Sequence, residues 1–424
     1  MGQKSVTICD ILPIRKEGGF RKPLLDISRQ NFAKLANGSS DSLKFLLATY
    51  LIPYVGENGY VGTVPYLRKR KSRRLAASLL AVEAGQDAIV RAFLYQRAYE
   101  KVQPYNLTVA HFTNRISMLR NELGMCGIKD EGIIVTSTLD TISPPSCAPI
   151  DAADVDRMQF AMNLEYLEAE FFLSGATGLG LDSYAPGFSG GGPPPIGAQK
   201  ANLDPLVRRI IEEMGYQQMG NIRTMVETVG GIRRPLIDLT RVNWGIIFNR
   251  ALKTTLIPPF NPYENSLNFL LAAYTMPYLA QVSYVNSIPS LTTNSPSLFL
   301  AAKLLAIKAG QSAVLRALLY PKATQLVPPY NFTVREFTKA ISQLTNDLGK
   351  CGIKSEGILL ANTTLGAENR TTSNVLSADA NSLSYARTEP EMLRIVYGTG
   401  NEHLSGGFFP LGANGKIARS HLLI

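Results

Sequence analysis

"LLAVEAGQDAIVRAFLY" (Leu79–Tyr95) and "LLAIKAGQSAVLRALLY" (Leu304–Tyr320) are identical at eleven of seventeen positions. Both space their apolar residues three and four apart, the pattern of an amphipathic helix. One exchange is out of character for so close a copy: Glu83 has become Lys308. At about 100° per residue, Leu304, Lys308, Gln311 and Leu315 fall on one stripe, flanked by Ile307 and Leu318. The matching stripe of the first copy holds Leu79, Glu83, Gln86 and Val90. A charge reversal on an inward face has to be answered by whatever packs against it.

The pair belongs to a longer internal repeat. "GGFRKPLLDIS" (Gly18–Ser28) matches "GGIRRPLIDLT" (Gly230–Thr240), and "DSLKFLLATYLIPY" (Asp41–Tyr54) matches "NSLNFLLAAYTMPY" (Asn265–Tyr278). "PYNLTVAHFTNRIS" (Pro104–Ser117) matches "PYNFTVREFTKAIS" (Pro329–Ser342), and "CGIKDEGIIV" (Cys126–Val135) matches "CGIKSEGILL" (Cys351–Leu360). The stretches 154–229 and 365–424 have no counterpart. The layout is therefore a half unit followed by a complete unit with a tail. Five segments follow from it: 1–17 at the N-terminus, an incomplete repeat over 18–135, a linker over 136–153, a complete unit over 154–360 and a tail over 361–424.

The pattern is helical throughout. Helices are expected over Asp154–Gly175, Leu203–Val229, Ser266–Val285, Ser297–Tyr320 and Thr333–Leu348, with the last three repeated near Ser42–Val61, Arg73–Tyr99 and Thr108–Leu123. Asp204-Pro205 is a helix start, Thr333 with Glu336 a capping box, and Ser297 a cap for the helix behind it. The Gly-rich "GFSGGGPPPIGA" follows no strand and lacks a Lys-Ser/Thr pair, so it reads as a structural loop and not a phosphate cradle. The tail "GGFFPLGANGKIARS" is loop-like and aromatic and is expected to pack over the bundle.

Composition narrows the function classes. The 424 residues are 45% hydrophobic and 18% charged, a globular balance. The net charge is +10, but six positive charges sit in "RKRKSRR" (Arg68–Arg74), and about +4 remains without them. The second copy has no basic run there, so the cluster reads as a solvated loop or helix start, and nucleic acid is not an expected partner. The longest apolar run, 45–56, contains Pro53 and is short for a membrane span, and no apolar leader follows Met1. Cys9, Cys126, Cys147 and Cys351 match neither a disulfide framework nor a zinc spacing and read as buried thiols. No hydrolase elbow, P-loop or zinc-protease motif is present.

Polar residues break two apolar faces of the complete unit at i, i+3 spacing: Gln218 with Asn221, and Lys308 with Gln311. In Asp154–Gly175 the apolar face is Phe160, Leu164, Leu167 and Phe171, with Glu168 roughly sixty degrees off its centre and Glu165 further round. Helix bundles place metal ligands at such positions, but they use Glu and His. Here two carboxylates face amides and a cation. The histidines, His111, His403 and His421, lie outside the helices that carry these positions.

Several long motifs carry a resemblance: "MQFAMNLEYLEAEFFLSGATG" (Met158–Gly178), "GGPPPIGAQKANLDPLVRRIIEEMGYQQMGNIR" (Gly191–Arg223), the AGQ-centred helix, and the tail from "SLSYARTEPEMLRIVYGTG" through "GGFFPLGANGKIARSHL". On these the chain resembles the plant desiccation-related protein family, which implies a ferritin-like four-helix bundle preceded by an incomplete duplicate of its second half. The resemblance also implies ligand pairs of Glu-x-x-x-His or Glu-x-x-His type on the second bundle helix and Glu-x-x-Gln on the fourth. The positions corresponding to such a site are Glu165, Glu168, Gln218, Asn221, Lys308 and Gln311, with Glu83 and Gln86 in the incomplete copy.

The expectation is a non-enzymatic, stress-associated protein with a degenerate metal site and no cofactor. The Lys308 ammonium is expected to approach Glu165 or Glu168 in place of a metal. The alternative is an iron- or manganese-dependent oxidase or ferroxidase. The family is commonly secreted, and in a secreted chain Asn106 and Asn331 are equivalent glycosylation sequons. The half unit lacks the helices that would cover it, so a homo-oligomer through the incomplete repeat is expected.

Overall fold

The computed structural model of the chain describes residues 42–124, 130–134 and 150–423. The helices in order are α1 (Ser42–Thr49), α2 (Pro53–Thr63), α3 (Arg70–Gln96), α4 (Val109–Gly124), α5 (Ala152–Thr177), α6 (Pro205–Val229), α7 (Arg241–Leu252), α8 (Ser266–Ala273), α9 (Met276–Ser287), α10 (Pro296–Leu319), α11 (Val334–Gly349), α12 (Glu389–Val396) and α13 (Lys416–His421). Among the described residues the only β-pairing is isolated bridges, in keeping with the all-α class.

Local chemistry sets the helix ends. The Asp204 carboxylate accepts from the amides of Leu206 and Val207, and Pro205 opens α6 where its missing N–H costs nothing. Thr333 and Glu336 form a reciprocal capping box on α11. The cap of α10 is Ser295, not Ser297, because Pro296 takes the first helical position; Ser295 Oγ accepts from the Leu298 amide. The expected helix over 266–285 is two helices. Pro277 has no N–H for the preceding turn, so the chain breaks after Ala273 and restarts at Met276. The first copy breaks in the same way before Pro53. Helix α7 was not legible in the sequence.

Four helical layers, α5, α6, α8–α9 and α10, make the bundle. Helix α5 is its axis: every residue from Phe160 to Ala176 is buried. That corrects the one-sided wheel drawn for this segment, on which Glu168 sat at an edge. The tail closes one side of α5. Asn163 accepts from the Asn414 amide at 2.7 Å and donates to its carbonyl at 2.8 Å. Phe408 meets Trp244 at 5.1 Å between ring centroids. The Gly-rich loop lies along 232–240: a Cβ at Gly197 would fall 2.4 Å from Thr240 Cα, so only glycine fits there.

Packing divides the chain into two compact units, and the division does not follow the repeat. Within the described residues one unit takes 42–55 and 89–134, the other 56–88 and 150–423. Helix α3 contributes to both. The smaller unit buries Leu43, Leu47, Tyr50, Val90, Leu94 and Ile116 around a polar knot. Tyr50 Oη lies 3.1 Å from Ser117 Oγ and donates to the Glu131 carbonyl, with the Arg91 guanidinium 4.9 Å above its ring. The larger unit carries the same knot at the equivalent residues. Tyr274 meets Ser342 at 3.2 Å and the Glu356 carbonyl at 2.9 Å, beneath Arg316 at 4.8 Å.

Three sequence expectations need correction. Cys351 is exposed, because Lys350 in the left-handed conformation ends α11 and turns the chain outward; Cys9, Cys126 and Cys147 lie outside the described residues. In the basic run, Arg73 is buried and donates to the Leu291 carbonyl, although its neighbours face solvent. And the longest apolar stretch is not 45–56: Pro296–Lys322 is long and apolar enough to cross a membrane by length and composition alone. Its most apolar window is 72% buried within the protein, as in the core helix of a bundle.

Candidate functional site

Between α5, α6, α9 and α10 lies a closed polar centre. Glu165 and Glu168 project from α5, Gln218 and Asn221 from α6, and Lys308 and Gln311 from α10, all buried. The i, i+3 spacing puts each pair on one face of its helix, and the bundle turns these faces toward one another. Lys308 Nζ lies 2.6 Å from Glu165 Oε2 and 2.7 Å from Glu168 Oε2, and it also donates to Gln218 Oε1. Both carboxylates are well inside ion-pair distance, and the ammonium has no path along its stem to solvent.

Amides hold the rest. Gln218 Nε2 donates to Glu168 Oε2 at 2.7 Å and to Gln311 Oε1 at 2.8 Å. Asn221 Nδ2 donates to Glu165 Oε2 at 3.2 Å. Two members escaped the sequence reading. The Tyr284 hydroxyl of α9 donates to Glu165 Oε1 at 3.0 Å, and Gln217 accepts from Gln311 at 2.8 Å. Burial and the adjoining carboxylates hold the Tyr284 phenol well above its ordinary range. Burial raises Glu168 most, partly countered by Lys308 and reinforced by Glu165, and its carboxyl is pushed up to about 7. Two carboxylates sharing one ammonium would leave a buried net charge. Protonating Glu168 removes it.

A second buried ion pair stands beside this centre. Glu170 accepts from Arg234, and both side chains are fully buried; Arg234 also reaches Asp182 at 2.6 Å. The signal for it was present: "GGFRKPLLDIS" and "GGIRRPLIDLT" both keep a base before proline, Lys22 and Arg234.

Among its described residues the incomplete copy gathers no such site. Glu83 is half-buried and turns toward α2, where a Cβ at Gly56 would fall 2.8 Å from its carboxylate oxygen. Burial raises its carboxyl. Gln86 is half-buried as well. Asn106 and Asn331 are exposed, as sequons must be.

The metal pair implied by the resemblance can be tested against these residues. A divalent pair needs several carboxylates and commonly imidazole. This centre offers two carboxylates, and their inward oxygens already accept from an ammonium and two amide N–H groups. Among the described residues no three His, Cys, Asp or Glu side chains cluster as a metal would need. The residues do not fit the metal, and a cation of the protein's own lies between the carboxylates.

Comparison with known proteins agrees with this geometry at the level of fold. The ferritin-like domain pattern matches residues 16–96 and 153–321. The ferritin-like catalase Nec2 of Nesocodon mauritianus is 51% identical over 289 residues, covering 66% of this chain and 92% of that protein. The desiccation-related protein PCC13-62 of Craterostigma plantagineum is 44% identical over 268 residues, covering 63% of this chain and 85% of that protein. No solved structure matches.

Proposed function

The chain belongs to the ferritin-like domain family, and we propose that it is a member without a metal centre, acting in stress through its fold and its contacts and not through catalysis. One observation carries the reading: the Lys308 ammonium sits between Glu165 and Glu168 at 2.6 and 2.7 Å. An ammonium there supplies the positive charge that a metal would supply, but it can neither change oxidation state nor open a coordination position. The kinship with a desiccation-related protein supports a role in stress.

A second reading is favoured by the relative named as a catalase, and it carries the iron or manganese alternative with it. Elemental analysis of the purified chain, with oxygen release from hydrogen peroxide, separates the two. The expected result is no stoichiometric iron or manganese and no oxygen release above buffer. Metal at one or two atoms per chain, or peroxide turnover lost on chelation, would overturn the proposal.

The reading extends to association of chains through the smaller unit. Phe45, Ile52, Val55 and Leu123 are exposed there, whereas their repeat equivalents Phe269, Met276, Leu279 and Leu348 are buried. In the larger unit Phe269 stacks on Phe171 of α5 at 4.4 Å. The half repeat has no equivalent of α5, so its matching surface is left open to a second chain.

A further inference from the structure

The two AGQ helices meet at their glycines. A Cβ at Gly85 would fall 3.4 Å from Ala313 Cβ and 3.9 Å from the Ala309 carbonyl oxygen. A Cβ at Gly310 would fall 3.3 Å from Ala88 Cβ and 3.9 Å from the Ala84 carbonyl oxygen. In the repeat, Gly310 corresponds to Gly85, Ala309 to Ala84 and Ala313 to Ala88. So residue i meets j of the other copy, and j meets i. That reciprocity defines an isologous, two-fold contact between identical subunits, yet here both surfaces belong to one chain. Further contacts join the two segments at the helix starts: Tyr66 packs edge-on against Phe299 at 5.6 Å, and the Leu291 carbonyl accepts from Arg73.

We infer that the outer face of α10 is a self-association surface for a second complete unit, and that residues 56–88 occupy it within the chain as a built-in substitute. The fit does not depend on what differs between the copies. The contacting residues are Ala, Gly and Ala in both, so a second α10 presents the same small side chains that α3 presents. Glu83 and Lys308 take no part: one turns toward α2 and the other into the bundle. The tail fits the same partner, since Leu376 meets a Cβ at Gly85 at 3.1 Å and on a second copy would find Gly310 in that place.

The test uses the full chain with two paired variants. Gly85→Arg/Ala88→Arg unseats the substitute and leaves the α10 face intact. Gly310→Arg/Ala313→Arg unseats it equally and spoils the face. Both expose the same surfaces of α3. Masses come from sedimentation velocity, and circular dichroism reports helix content. The expected result is that the first variant doubles in mass relative to wild type, while the second keeps the wild-type mass. If the first keeps the wild-type mass, or both double, the α10 face is not a self-association surface and the inference fails. Ala88→Arg alone replaces the first pair if that pair loses helix content, with the same doubling required of it.

Discussion

Lys308 Nζ lies 2.6 Å from Glu165 Oε2, and neither side chain has any solvent exposure. Such a pair stabilises only while its partners remain matched, because each ion has left water and depends on the other for compensation. The second carboxylate, Glu168, makes the matching conditional, since one ammonium neutralises one charge. Stability and pH response of this bundle are therefore linked through one lysine.

Removing that lysine should be costly. Lys308→Met leaves two buried carboxylates with two amide donors and the Tyr284 hydroxyl but no cation, and breaking a buried pair in this way costs about 3–5 kcal/mol. Urea denaturation is expected to show a loss in that range. The triple variant with Glu165→Leu and Glu168→Leu should recover most of it, because an apolar replacement of a whole buried ion group is often neutral. A Lys308→Met variant as stable as wild type would disprove the role given to the ammonium.

The pH response follows from Glu168. Its folded pKa is about 7 against an ordinary 4.5. The raised value means that the folded chain holds a proton which the unfolded chain releases. This contribution is full below pH 4.5 and is lost as pH rises through 7. Glu168 titrates together with Lys308 and Glu165, so the loss across that window belongs to the cluster. Denaturation at about pH 5 and about pH 8 should show wild type weakening toward the higher pH, with a flatter profile in Glu168→Gln. Equal slopes in the two proteins would assign the response to other groups.

Two glycines should respond in opposite directions. A Cβ at Gly175 would lie 2.3 and 2.4 Å from carbons of the Phe269 ring, which is held in a stack on Phe171 at an interplanar angle of 2°. Gly175→Ala is expected to lower stability by about 1–3 kcal/mol through overpacking. Gly220 sits mid-helix in α6 with nothing within 4 Å of an added Cβ. Gly220→Ala should raise stability by about 0.5–1 kcal/mol. Thermal melting of the two variants checks the signs.

Association through the smaller unit can be read by light scattering. Phe45 is 70% exposed, whereas its equivalent Phe269 is 0% exposed. Wild type is expected to gain mass with concentration. Phe45→Asp with Ile52→Asp should abolish the gain without altering the bundle's melting. A wild-type mass constant with concentration would count against the association.

Much of the bundle was legible because its signals are local. The AGQ helices, the Asp204 cap and the Thr333–Glu336 box each lie within a few residues of their partners. The polar centre was legible in part, since i, i+3 pairs on three helices declare a shared face. Tyr284 was hidden because α9 is buried nearly all round and mixes Gln281 and Ser283 among its apolar residues, so one hydroxyl marks no face. Glu170 was hidden for a different reason. Its partner Arg234 stands 64 residues away in a loop, and a helix sheathed on every side has no outer face on which a carboxylate looks misplaced. Helix α7 starts at the Thr240 cap, the last residue of a repeat motif that was read only as a match between the copies.

The Asn163–Asn414 pair spans 251 residues and fastens the tail to the central helix. A chain emerging from the ribosome completes α5 when fewer than half of its residues have been made, but the side of α5 sealed by 405–421 must wait for nearly the last of them. Non-local closure of this kind is slow and leaves apolar surface open in the interval. Residues 56–88, synthesised before the α10 face they pack on, are the first to meet that delay. In this protein the central helix is made early and sealed late, and its yield in a cell depends on how long the unfinished bundle is kept from sticking to its neighbours.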